Sequence, residues 1–187
     1  MVITNPPFSL MKKYVPFMVE SGKQFLFLMS FINMGNTNTV KPILQNKCWP
    51  SYTSNKSIKF IRPDGTYKSI CVGWLTNLIR KSFRSYTPTA EYDPEIYPKY
   101  NEIDAIFVRS YKDIPKNYFE PMGVPVNFYE YWNPDEWELL GNEFYINGKS
   151  YPYMTYNRII YECPQPRIET VIPFQRIIIK YKNPRKE

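Results

Sequence analysis

The sequence predicts an α/β protein in which a strand, a rigid loop, a helix and a second strand come first and a region of short strands follows. Three observations predict it. Val2-Ile3-Thr4 and the apolar run from Gln24 to Phe31 bracket a stretch with apolar residues at helical spacing, the pattern of a βαβ unit. Beyond residue 57, β-branched and aromatic runs alternate with turn residues. Within that second region, Tyr86 to Tyr100 is rich in Pro, Tyr and acidic residues and has no periodicity. It divides the chain into regions of different character, residues 1–85 and 86–187.

The elements follow in order. Val2-Ile3-Thr4 is a strand cut short by Asn5-Pro6-Pro7-Phe8, where two prolines remove consecutive N–H donors and fix φ, forcing a rigid extended turn. From Ser9 to Glu20, Met11, Val15, Met18 and Val19 recur at helical spacing. Ser9 is read as N-cap, Gly22 as the stop, and Pro16 as the site of a kink. The run Gln24–Phe31 reads as a strand covered on both faces. A short helix is expected within Asn38–Lys47, starting near Pro42. Ser57–Arg62 and Tyr67–Trp74 form a hairpin around Pro63-Asp64-Gly65. Later strands are expected at Ala105–Val108, Val126–Tyr129 and Arg176–Tyr181, with a hairpin centred on Asn147-Gly148. Pro164–Pro173 reads as a long connection.

Composition removes several classes of function. The chain contains no histidine, which excludes Ser-His and Cys-His nucleophile pairs. Cys48, Cys71 and Cys163 are too scattered for a zinc site or a disulfide framework. They fit a reduced, cytosolic protein. No apolar run approaches the roughly 20 residues of a membrane span. With 24 Lys and Arg against 17 Asp and Glu, the net charge of +7 favours a polyanionic partner, nucleic acid or anionic membrane surface alike.

The chemically distinctive feature is Asn5-Pro6-Pro7-Phe8 at the carboxyl end of a strand, where ligand sites of α/β proteins lie. Its plain structural reading is a proline turn. Its functional reading is an acceptor site: the Asn5 side-chain oxygen and the Pro6 carbonyl are hydrogen-bond acceptors, Pro7 stiffens the loop, and Phe8 offers a ring face.

Val2-Ile3-Thr4-Asn5-Pro6-Pro7-Phe8-Ser9 resembles the catalytic loop of EcoRI-type adenine-specific DNA methyltransferases. Further segments are similar to that family in the same order: Trp74-Leu75-Thr76-Asn77-Leu78, Met122-Gly123-Val124-Pro125-Val126-Asn127-Phe128, Asn133-Pro134-Asp135-Glu136-Trp137-Glu138-Leu139-Leu140-Gly141 and Arg176-Ile177-Ile178-Ile179-Lys180. The resemblance implies the second half of a Rossmann-like S-adenosylmethionine-dependent methyltransferase sheet in residues 1–85, and a β-rich target-recognition region in 86–187. It implies methyl transfer to N6 of an adenine flipped out of double-stranded DNA, with Asn5 and Pro6 accepting the amine hydrogens and Phe8 stacking on the base. Lys12 and Lys13, beside the loop, and Arg80, Lys81 and Arg84, interleaved with aromatics, are candidates for DNA phosphates. Each is also explained as a solvated basic residue.

The family's S-adenosylmethionine loop and its acidic partner belong upstream of the catalytic loop, and no residue of this chain matches them. The chain is therefore expected to need an N-terminal segment or fragment, and its first strand to leave an open edge. Two alternatives stay open: a non-catalytic DNA-binding remnant, and a methyltransferase of RNA or of protein glutamine. Phe8, where the glutamine enzymes carry Tyr, and the downstream similarities argue against the second.

Overall fold

The computed structural model describes residues 1–51, 57–79, 84–160, 167–172 and 175–182. The chain divides into two compact units, Met1–Arg84 with Tyr129–Tyr131, and Ser85–Phe128 with Trp132–Glu187. The described residues form a mixed α/β structure with three sheets and few helices. Among the described residues, no helix is long and apolar enough to cross a membrane.

The first unit begins with strand β1 (Val2–Thr4), a 3-10 turn at Phe8–Leu10, helix α1 (Met11–Glu20) and strand β2 (Phe25–Ser30). β1 and β2 are parallel, with Val2 opposite Phe25. This is the expected βαβ unit. The helix does not start as expected. Ser9 lies inside the 3-10 turn and caps nothing, and α1 begins after Leu10 without a side-chain cap. The reason is local: the Leu10 N–H reaches back to the Pro7 carbonyl at 2.9 Å, so the chain is already turning at Phe8. Gly22, at φ +65°, ends the helix as predicted. Pro16 sits within α1 and supplies no N–H to the Lys12 carbonyl four residues back. That oxygen instead accepts from Asn38 Nδ2 at 3.1 Å, a replacement for the lost bond.

β2 buries Phe25, Phe27 and Met29, whereas Leu26 and Leu28 are only part-buried. The two faces are thus unequally covered. Phe31 belongs to a one-turn helix, α2 (Phe31–Met34), capped by Ser30 Oγ. Helix α3 (Thr37–Leu44) starts earlier than expected because Asn36 caps it, accepting from the Asn38 N–H at 3.1 Å, and Pro42 lies inside it. It ends in a Schellman arrangement: Asn46 is left-handed, Lys47 N–H donates to the Pro42 carbonyl, and Asn46 N–H to that of Ile43.

A short strand unmarked in the sequence, β3 (Trp49–Ser51), follows. Then come β4 (Ser57–Ile61) and β5 (Tyr67–Thr76), the predicted hairpin, with β5 longer than expected. The sheet order is β1-β2-β5-β3, β4 pairing off the end of β5. β5 runs antiparallel to both β2 and β3. Its end is fastened to the start of β2. Thr76 Oγ1 donates to the Phe25 carbonyl at 2.6 Å, Phe25 N–H donates to Asn77 Oδ1 at 2.8 Å, and Asn77 Nδ2 donates to the Lys23 carbonyl at 2.9 Å.

In the second unit, residues 86–100 form no regular strand, as expected, though Tyr97 and Tyr100 are buried. Strands β6 (Ile106–Phe107), β7 (Met122–Pro125), β8 (Trp137–Asn142), β9 (Tyr145–Ile146), β10 (Lys149–Ser150), β11 (Tyr156–Ile160), β12 (Arg167–Val171) and β13 (Arg176–Tyr181) follow. β13 matches its prediction and is central in the order β10-β9-β8-β13-β7-β6. Asn147 and Gly148, at φ 48° and 85°, make the expected tight turn. The strand expected at Val126–Tyr129 is instead a 3-10 helix (Val126–Glu130), and Met122–Pro125 takes the pairing with β13. Pro164–Pro173 is not simply a connection, because it contains β12, paired with β11 in a separate ribbon.

A polar cluster is buried beside the six-stranded sheet. Glu143 accepts from the Tyr100 hydroxyl at 2.8 Å and from the Arg176 N–H at 2.9 Å. The Arg176 guanidinium donates to the Val108 carbonyl at 2.7 Å and lies 3.9 Å from the centre of the Phe107 ring. Burial pushes the Glu143 carboxyl up to about 7, against the lowering effect of Tyr100 and Arg176.

Candidate functional site

The loop Asn5–Phe8 follows directly on β1 and is held from two sides. Leu10 N–H binds the Pro7 carbonyl, and Asn33 Nδ2 from α2 donates to the Phe8 carbonyl at 3.0 Å. Asn33 is itself fixed, its N–H donating to Ser30 Oγ. Pro6 is buried, Phe8 part-buried, and Asn5 and Pro7 exposed. Among the described residues, the Asn5 side chain and the Pro6 carbonyl make no hydrogen bond. Both acceptors keep their full capacity.

These four residues form one side of an open cleft of about 330 Å³, completed by Phe60, Arg62, Lys68 and Ile70. Its size falls at the lower end of small-ligand pockets, roughly 300–1,000 Å³. The second set comes from one face of the β4-β5 hairpin. Phe60 pairs with Lys68 and Ile58 with Ile70, and alternate residues of a strand share a face. Phe60, Arg62, Lys68 and Ile70 therefore project together. Phe60 meets the Phe8 ring edge-on, centroids 5.8 Å apart and planes at 79°, a favourable aromatic geometry.

The hairpin tip is rigid. Arg62 N–H donates to the Thr66 carbonyl, Gly65 N–H donates to the Arg62 carbonyl, and Gly65 takes φ +80°. Asp64 Oδ1 accepts from both the N–H and the hydroxyl of Thr66, which holds its carboxyl below the usual value.

Of the remaining sequence candidates, the described ones, Lys12, Lys13 and Arg84, do not line this cleft. Lys12 and Lys13 are exposed in the first turn of α1. Arg80 and Lys81 lie outside the described residues. Arg84 is half-exposed and donates from Nη1 to the buried Glu130 carboxylate at 2.9 Å. The sequence reading missed Phe60, Arg62, Lys68 and Ile70. Their signal was present in the hairpin's two-residue alternation, but nothing local shows that this face turns toward the loop.

The model of the family described as adenine-specific methyltransferase EcoRI matches residues 1–182. Among curated proteins, the type II methyltransferase M.MpnI of Mycoplasma pneumoniae is 33% identical over 160 residues, covering 74% of this chain and 50% of the relative. The type II methyltransferase M.EcoRI of Escherichia coli is 33% identical over 180 residues, covering 81% and 55%. M.MgeORF184P of Mycoplasma genitalium, also a type II methyltransferase, is 29% identical over 160 residues, covering 74% and 50%. The chain thus spans about half the length of the curated relatives it matches. No solved structure matches it significantly.

Proposed function

This chain belongs to the family of the adenine-specific methyltransferase EcoRI, and from that premise we propose that the protein methylates N6 of adenine in double-stranded DNA, with the Asn5–Phe8 cleft receiving the extruded base. The observation that carries the reading is the cleft itself, which sets two open acceptors beside an aromatic ring. The exocyclic amine of adenine is a poor nucleophile because its lone pair is shared with the ring. Asn5 Oδ1 and the Pro6 carbonyl each accept one N6 hydrogen, drawing the nitrogen toward tetrahedral geometry and directing its lone pair out of the ring plane. The prolines hold these acceptors in place before the base arrives.

Phe8 stacks on the base. A base sandwiched between two parallel rings needs them roughly 7 Å apart, twice the stacking distance of about 3.4 Å. Phe60 stands edge-on at 5.8 Å and leaves no such gap. Its role is to fix the plane of Phe8, as a positioning residue.

The methyl donor that membership of the family implies is S-adenosylmethionine, which carries an electrophilic methyl on sulfur. Among the described residues lining the cleft there is no carboxylate for a ribose and no glycine turn for the donor. This chain's residues are therefore assigned to the base and not to the donor. The sheet supports a reading as the second half of a Rossmann-like methyltransferase core: β1 and β2 are parallel, and antiparallel β5 inserts between β2 and β3. In this reading residues 1–85 belong to the catalytic domain and 86–187 to target recognition. Lys12, Lys13, Arg80, Lys81 and Arg84 remain candidates for DNA phosphates. An N-terminal segment supplies the donor site, and a DNA substrate goes with a cytoplasmic location in a prokaryote or phage-infected host.

The test is transfer of labelled methyl from S-adenosylmethionine to unmethylated duplex DNA, by this chain alone and supplemented with the N-terminal half of M.EcoRI. N6-methyladenine is expected, with a loss of about 10²–10³-fold in kcat for Asn5→Ala, the scale for one preorganised polar contact. Methylation of another acceptor, or full activity in Asn5→Ala, refutes the assignment. DNA binding without methylation under both conditions favours the non-catalytic remnant.

A further inference from the structure

We propose that the β4-β5 hairpin is a phosphate clamp, Arg62 and Lys68 holding the backbone phosphates on either side of the extruded adenine; this rests on the reading of the cleft as the base site. The hairpin face that meets the loop is graded. Phe60 and Ile70 are part-buried, whereas Arg62 and Lys68 are exposed. Apolar groups thus lie inside and cations at the rim.

A neutral base calls for acceptors and a ring, both supplied by Asn5–Phe8. It gives no reason for two positive charges at the same opening. A base still joined to a DNA strand does, because its two flanking phosphodiesters must lie at the mouth of the cleft. Among the described residues, neither cation pairs with a carboxylate, and no carboxylate lines the cleft. The Asp64 oxygen facing Thr66 is occupied by that residue. Arg62 is anchored by two backbone hydrogen bonds at the turn, so its guanidinium starts from a fixed point. The clamp gives the cleft a preference for adenine within a strand over free adenine or adenosine, which offer no flanking phosphates.

Phosphate contacts release counterions, so each adds about 0.9 to the magnitude of the slope of log Kobs against log salt. The experiment uses the full chain and a duplex with one 2-aminopurine opposite an abasic site, a probe that needs no knowledge of the recognition sequence and lowers the cost of extrusion. Binding is followed by anisotropy between roughly 50 and 200 mM salt, and extrusion by 2-aminopurine emission. Arg62→Gln and Lys68→Gln are each expected to lower the slope by about 0.9, and the double variant by about 1.8. Lys59→Gln removes the same charge from the opposite face of β4 and is expected to leave the slope unchanged. All these positions are exposed, and the fold of each variant is to be checked by circular dichroism.

An unchanged slope in the double variant, or an equal loss in Lys59→Gln, overturns the clamp. If the wild-type chain still brightens 2-aminopurine and Phe8→Ala does not, the base-site reading survives that failure. If the wild-type chain gives no 2-aminopurine response, both are overturned.

Discussion

Replacing Gly123 by alanine tests how tightly the second unit is built. Gly123 lies in β7 between Phe107 of β6 and Ile178 of β13. A Cβ there would clash with the Tyr100 hydroxyl and lie 2.7 and 2.8 Å from two of its ring carbons, against an ordinary carbon-carbon separation of about 3.5 Å or more. The ring must retreat by roughly 1 Å. Tyr100 is 4% exposed, so there is no solvent to retreat into. Its 2.8 Å bond to Glu143 would stretch beyond hydrogen-bonding range. Overpacking costs about 1–3 kcal/mol, and the lost bond to a buried carboxyl group about 1–3 kcal/mol more. A loss of about 3 kcal/mol is expected, seen in urea denaturation followed by tryptophan fluorescence as a midpoint lower by roughly 1–1.5 M for a slope of about 2–3 kcal/mol per M. Tyr100→Leu removes the clash, so alanine at 123 should cost under about 1 kcal/mol in that background. This cycle keeps the test open even if the single variant does not fold. A midpoint shift below about 0.3 M, or equal costs in the two backgrounds, would refute the reasoning.

Three further outcomes are expected. Burial pushes the Glu143 carboxyl up to about 7 in the folded state, above the ordinary 4.5. The folded state therefore binds more protons between those values, and stability falls as pH rises through that window, by about 3 kcal/mol; Glu143→Gln should flatten the midpoint profile between about pH 4.5 and 8, and an equally steep profile counts against it. Pro16→Ala should raise the urea midpoint, since a helix-interior proline costs about 3 kcal/mol and Asn38 replaces only the lost bond; in that background Asn38→Ala should be nearly neutral, and a destabilised Pro16→Ala would contradict the account. Asn77→Ala leaves the Phe25 N–H and the Lys23 carbonyl without their partners, a loss of about 1–3 kcal/mol that the same denaturation would detect.

What the sequence made legible was what is decided locally. The prolines of Asn5–Phe8 end a strand wherever they stand, Asn147-Gly148 adopts the positive φ of its turn, and Pro63-Asp64-Gly65 closes its hairpin through Asp64 and Thr66. Segments whose state depends on a distant partner were read less well. Arg167–Val171 lies among prolines and becomes a strand by pairing with Tyr156–Ile160. Val126–Tyr129 has strand-like composition, but Met122–Pro125 occupies the place beside β13. The site divides in the same way. Its loop was visible, while Phe60, Arg62, Lys68 and Ile70 reach it through β5, which inserts between β2 and β3 and carries the hairpin with it.

That insertion gives the Trp74-Leu75-Thr76-Asn77-Leu78 segment a meaning distinct from chemistry. Asn77 holds the Phe25 N–H, and Thr76 holds the Phe25 carbonyl. Phe25 is the residue opposite Val2, and Val2 N–H donates to the Gln24 carbonyl at 2.8 Å. The strand ending at Asn5 therefore takes its position from the start of β2, and β2 takes its own from the end of β5. The same β5 carries Lys68 and Ile70 at its other end. One strand thus sets both walls of the cleft, the acceptor loop through β2 and the hairpin directly. A shift of β5 would move the two walls by different routes and open or close the space between them, so fixing this strand at Thr76 and Asn77 is as much a condition for the proposed chemistry as the acceptors at Asn5 and Pro6.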